Sequence, residues 1–255
     1  MKKLSLFLAL FLVIGTLFAQ IITHGPFIGA VTENSARTYV RTNSVASYDL
    51  IVSPDSANFS GAIIFNSITN AVEDTTAIID VTGLLPDTKY YYKININNVP
   101  ASDVRSFTTF PLLNQISYFS FAFGSCQGFS SSVINEPVFD EIVNHNPRFF
   151  LQCGDWGYTD YTDNFPNDTN FFSKDYWRIQ DAYKLKYNPQ SPIIKLLKTT
   201  PIDYIYDDHD YMNDNSARDF TPFYASGQLM DIPNPPGARE NSILAYTQYF
   251  PAYQL

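Results

Sequence analysis

The chain reads as two folded parts in succession, an all-β sandwich and then an α/β domain. Three observations predict this class. Between Gly25 and about Phe110, short β-rich runs recur without helical periodicity. From Ile116 onward, strand-like apolar runs alternate with helical stretches, the pattern of parallel pairing. Each of three such strands ends in a polar cluster, and open α/β sheets bind ligands beyond the carboxyl ends of their strands. With 255 residues, 45% of them hydrophobic, the chain can fill such cores. The expected divisions are 1–20, 21–112 and 113–255.

Residues 1–20 precede the fold. Lys2 and Lys3 give a positive start. Leu4 to Phe18 is an apolar run of about 15 residues, too short to span a bilayer. Ala19, with Leu17 two positions before it, makes an imperfect cleavage site, and no twin arginine precedes the run. The segment reads as a general secretory signal. The mature chain is expected in the periplasm or outside the cell, with no membrane span left after cleavage. A net charge of −9 and the lack of a basic run give no footprint for nucleic-acid binding.

In the sandwich, the expected strands are Ser35 to Thr42, Tyr48 to Ser53, Ala62 to Phe65, Thr76 to Val81, Tyr90 to Ile96 and Val104 to Phe110. Polar and apolar residues alternate through Arg37-Thr38-Tyr39-Val40-Arg41, as a half-buried strand requires. Leu84-Leu85-Pro86-Asp87-Thr88-Lys89-Tyr90-Tyr91-Tyr92 resembles the tyrosine-corner segment of fibronectin type III domains. There a tyrosine hydroxyl bonds back to the backbone. A fibronectin type III or Ig-like sandwich follows, and such a module by itself says little about function.

In the second part, a strand from Ile116 to Phe123 leads into Gly124-Ser125-Cys126-Gln127. A helical stretch follows, Glu136 to Asn144, with Val138, Phe139, Ile142 and Val143 on one face and Pro147 after it. A second strand, Arg148 to Cys153, leads into Gly154-Asp155-Trp156-Gly157-Tyr158. Helical stretches at Asp175 to Leu185 and Ile193 to Lys198 precede a third strand, Ile202 to Tyr206. That strand delivers Asp207-Asp208-His209-Asp210, with Asn213 and Asp214 just beyond. The segment Ser242 to Tyr253 is helix-like and apolar.

Asp, Asn and His are what a hard-metal site needs: carboxylate and amide oxygens with a group that moves protons. The same residues also make polar turns. Convergence of three clusters at one sheet edge favours the metal site. Cys126 and Cys153 stay open to a second reading, because two cysteines in an exported chain also suit a disulfide.

Phe123-Gly124-Ser125-Cys126, Gly154-Asp155-Trp156-Gly157-Tyr158 and Asp207-Asp208-His209-Asp210 with Asn213 resemble three motifs of the PhoD-like alkaline phosphatases. These are calcineurin-like metallophosphatases that carry a β-sandwich ahead of an αββα catalytic domain. The resemblance covers about His24 to Leu255 and implies a two-metal centre. It makes Asp155 the bridging carboxylate, Tyr158 and Cys126 ligands of ferric iron, and Asn213 a ligand of a divalent metal such as calcium. Asp207 is assigned to the metals, and Asp208 and His209 to catalysis, with His209 orienting phosphate or protonating a leaving group. His24 and His145 read as structural. The implied reaction is hydrolysis of phosphomonoesters or phosphodiesters by attack of a metal-bound hydroxide.

The family's later motifs are not found before Leu255, so the chain is expected to be an N-terminal fragment with part of the metal site, and a monomer. The competing reading is a non-enzymatic secreted or surface protein whose acidic cluster holds structural calcium.

Overall fold

The structure, a computed structural model, describes residues 19–127, 137–158, 175–212, 215–217, 219–225 and 228–254. Residues 1–18 of the expected signal and the expected ligand Asn213 therefore lie outside the described residues.

Eight strands build the sandwich: β1 (Ile22–Gly29), β2 (Ser35–Thr42), β3 (Ser47–Ser53), β4 (Ile63–Ile68), β5 (Thr76–Thr82), β6 (Lys89–Ile96), β7 (Val99–Pro100) and β8 (Arg105–Thr108). One sheet runs β1-β2-β5. The other runs β4-β3-β6-β7, with β8 also paired to β6. In β6 every second residue is buried, so Tyr90, Tyr92, Ile94 and Ile96 join Leu50, Val52 and Phe107 in one core. The Tyr90 hydroxyl accepts the Leu85 N–H at 2.9 Å, the corner bond expected of this segment. Strand β1, which opens Ile-Thr-His-Gly-Pro, has no alternation to announce it. It pairs with β2 through two register shifts.

The second part runs β9 (Ala122–Gly124), α1 (Pro137–Asn144), β10 (Phe150–Gln152), α2 (Tyr176–Lys186), α3 (Ile193–Leu197), β11 (Ile202–Tyr204) and α4 (Asp208–Tyr211). A hairpin, β12 (Phe220–Ala225) and β13 (Gln228–Pro233), precedes α5 (Ala238–Tyr249). The sheet order is β11-β10-β9 and both pairings are parallel, as the alternation of strands and helices implies. Its strands are shorter than expected. The run from Ile116 becomes a strand only at Ala122, where β10 lies alongside, and Tyr118, Phe121 and Phe123 remain exposed.

The two parts share a core. Phe27 and Tyr39 leave the sandwich to pack on Tyr187, with ring centroids 4.6 and 5.7 Å away. Both are fully buried, and burying the Phe27 side chain contributes about 1.5–3 kcal/mol. A side chain at Gly29 would meet the Ile202 and Pro251 carbonyl oxygens at 2.8 Å, so only glycine lets β1 lie this close to β11. Asp74 of the sandwich takes a two-pronged contact from Arg41, at 2.9 and 3.0 Å, and the Tyr249 hydroxyl of α5 at 2.5 Å. No helix among the described residues is long and apolar enough to cross a membrane.

Candidate metal centre

Register brings the site together. Gly124, Gln152 and Tyr204 are paired across the three parallel strands, so the loops that follow leave the sheet at one edge. The Cys126 N–H donates to the Gly154 carbonyl at 3.2 Å, joining the first loop to the second.

Ligand atoms of Asp155, Asp208 and His209 lie within 4.8 Å of one another, close enough to hold one ion. Asp155 Oδ1 is shielded from solvent and has no hydrogen-bond partner among the described residues. Such an orphaned acceptor costs about 1–3 kcal/mol, which a bound cation would offset. Burial raises the Asp155 carboxyl above the ordinary range, opposed by the Cys126 thiol and the charge of His209 and reinforced by Asp208. The Tyr158 hydroxyl is 3.5 Å from Asp155 Oδ2, and its ring stacks on His209 at 4.7 Å. Cys126, Asp155 and Tyr158 all sit at positive φ, between 43° and 57°. That backbone is costly for non-glycine residues and clusters at functional sites.

The structure thus brings Asp155, Asp208 and His209 together with Tyr158 beside them, while Cys126 stays on the adjoining loop, outside that cluster. Asp207 is placed differently. It is the N-cap of α4, its carboxylate accepting the Asp208 N–H at 3.0 Å in a capping box with Asp210. Asp208 rather than Asp207 lies in the cluster, its carboxylate accepting the His209 N–H at 2.9 Å and the Asn215 N–H. Cys126 and Cys153 are free thiols, which sets the disulfide reading aside. His145, just past the end of α1, pairs with Glu141 of that helix at 3.2 Å, and His24 lies in β1, so neither joins the site.

Asp210 carries a role that residue type alone does not announce. It is completely buried. Its Oδ1 accepts the N–H groups of Trp156, at 2.8 Å, and of Gly157, and its Oδ2 accepts the Asp207 N–H at 3.1 Å. Burial pushes its carboxyl up to about 6, while the Tyr204 hydroxyl and these N–H groups hold it down. The D-x-x-D spacing of Asp207 and Asp210 is the one sequence signal for this cap. Gly154 is the second position that needs glycine: its φ is +97°, and an added Cβ would stand 2.5 Å from Asp207 Oδ2.

Beside the cluster opens a cavity of about 400 Å³, lined by Asp207, Asp208, Tyr206, Tyr211, Arg239 and Ile243.

Residues 19–111 match the model of a domain of unknown function, DUF7800. No curated protein matches the chain. A solved structure of PhoD superposes with a TM-score of 0.68 at 18% identity, over 89% of this chain and 45% of that one. Two further matches have lower scores. One is the sensor domain of the anti-sigma factor RsgI4 in Pseudobacteroides cellulosolvens, with a TM-score of 0.31 at 20% identity, over 38% of this chain and 100% of that one. The other is the fn3 domain of human contactin 1, with a TM-score of 0.30 at 16% identity, over 45% of this chain and 99% of that one. The chain spans less than half the length of the PhoD structure, and the likeness between the two is one of fold.

Proposed function

We propose that this chain belongs to a secreted, metal-dependent phosphatase that hydrolyses phosphate esters. The observation that carries the reading is the convergence of Asp155, Asp208 and His209 at the carboxyl edge of a parallel sheet, with Asp155 Oδ1 unpartnered among the described residues. The likeness to PhoD and the three motifs point the same way. On this reading, the parallel sheet is one layer of an αββα domain.

Asp155 and Asp208 would hold metal, with His209 facing the same ion. The phenol of Tyr158 and the thiol of Cys126 suit ferric iron, and Asn213 would serve a second, divalent ion such as calcium. When bound, the metals lower the pKa of water and neutralise charge on the phosphoryl oxygens. The protein's part is positional. Stacking on Tyr158 fixes the His209 ring, which can then orient the phosphate or give a proton to the leaving oxygen. The cavity beside Asp208, walled by Tyr206, Tyr211 and Ile243, provides room for the leaving group. An imidazole at the cluster counts against a purely structural calcium site, which takes oxygen donors.

The test is metal analysis of purified protein together with hydrolysis of p-nitrophenyl phosphate and bis-p-nitrophenyl phosphate. Iron with a second metal and turnover of either ester support the reading, and calcium alone without turnover contradicts it. Visible charge-transfer absorption that Tyr158→Phe removes would assign the phenolate. A colourless iron-loaded protein would contradict that assignment.

A further inference from the structure

We propose that Lys186 is a positioning residue for the candidate metal centre, fastening the Cys126 loop and the Asp155 loop to the end of α2. The inference rests on the metal-centre reading above. Lys186 is the last residue of α2 and is only 1% exposed. Its Nζ donates to the Gln127 carbonyl at 2.7 Å and lies 3.2 Å from Gln127 Oε1. The same Nζ sits 4.7 Å above the Trp156 ring. Gln127 follows Cys126 and Trp156 follows Asp155, so one buried cation grips the residue after each of two ligand candidates. The next residue extends the grip: the Tyr187 hydroxyl accepts the Trp156 Nε1–H at 3.0 Å.

The placement has a physical rationale. A buried ammonium is costly unless it is partnered, and here a carbonyl, an amide oxygen and an indole face receive it. Cys126 and Asp155 both hold backbone that relaxes away unless the surroundings over-determine it. The Cys126 N–H bond to the Gly154 carbonyl is a direct link between the two loops, and Lys186 supports that link on both sides. Removing the clamp should loosen the loops while leaving the sandwich alone.

The experiment compares the whole chain with Lys186→Met, which keeps the stem and removes the cation, and with Lys186→Arg. The first readout is amide hydrogen exchange of the metal-free protein. The peptide holding Cys126 and Gln127 should exchange several-fold faster in Lys186→Met, with β6 unchanged and Lys186→Arg closer to the parent. The second is titration with Co²⁺ alone, read by thiolate-to-cobalt absorption. Supporting groups behind metal ligands change affinity by about 10–100-fold, and Lys186→Met should lose about tenfold. Should that variant fail to fold, Gln127→Ala removes one contact and should shift both readouts the same way, less far. A folded Lys186→Met with unchanged exchange and unchanged Co²⁺ affinity overturns the proposal. If the parent itself binds no Co²⁺, the metal reading fails, and the exchange comparison still decides whether Lys186 holds the loops.

Discussion

The Asp210 carboxylate lies 2.8 Å from the Trp156 backbone nitrogen, a bond between α4 and the loop after β10 that crosses 54 positions of sequence. With the Gly157 and Asp207 N–H groups, it makes Asp210 the buried post on which both acidic loops hang. Asp210→Asn keeps the shape but replaces one oxygen with an amide that faces N–H donors. A buried group left unsatisfied costs about 1–3 kcal/mol, and urea unfolding should show a loss in that range. Unchanged stability would mean that these bonds do not hold the loops.

The tyrosine corner gives a prediction confined to the sandwich. Tyr90→Phe removes only the acceptor for the Leu85 N–H. The expected loss is about 1 kcal/mol in urea unfolding, with metal content unchanged. Reduced metal content would mean that the sandwich and the site are coupled through this corner.

Acid sensitivity should arise at the seam between the parts. Burial and the nearby Arg41 lower His24 to about 4. The unfolded chain titrates near the ordinary histidine value of 6.5, so between these values it binds a proton that the folded chain refuses. Stability should therefore fall as pH drops from about 6.5 to about 4 and then stop falling on this account. Allowing for solvent screening of a partly exposed ring, the loss is roughly 1–2 kcal/mol. His24→Gln should flatten that slope in thermal melts taken across the window, and an unaltered slope would clear His24.

Most of the sandwich was legible because its burial alternates by residue. Tyr90, Tyr92, Ile94 and Ile96 announce β6 by spacing alone. Strand β1 was not legible, since Gly25 and Pro26 interrupt its pattern and its partner sets its extent. The hairpin of β12 and β13 was also missed, and each of its strands contains a proline, a residue that argues against a strand. At the site, residue types pointed to Asp155, Tyr158 and the Asp207-Asp208-His209 run. Which aspartate faces the cluster depends on a helical turn capped by Asp207 itself, a local geometry that the third strand's apolar pattern does not reveal. Lys186 was invisible in sequence because its partners lie 59 and 30 positions away, at Gln127 and Trp156.

The most direct test of the metal centre is Asp155→Asn, measured by Co²⁺ titration of the whole chain alongside the parent. The amide keeps the side chain's size and removes the charge from the oxygen that has no partner among the described residues. The account predicts that the parent binds and that the variant loses at least about tenfold in affinity, while the sandwich stays folded. Equal affinity in a folded Asp155→Asn protein would contradict it.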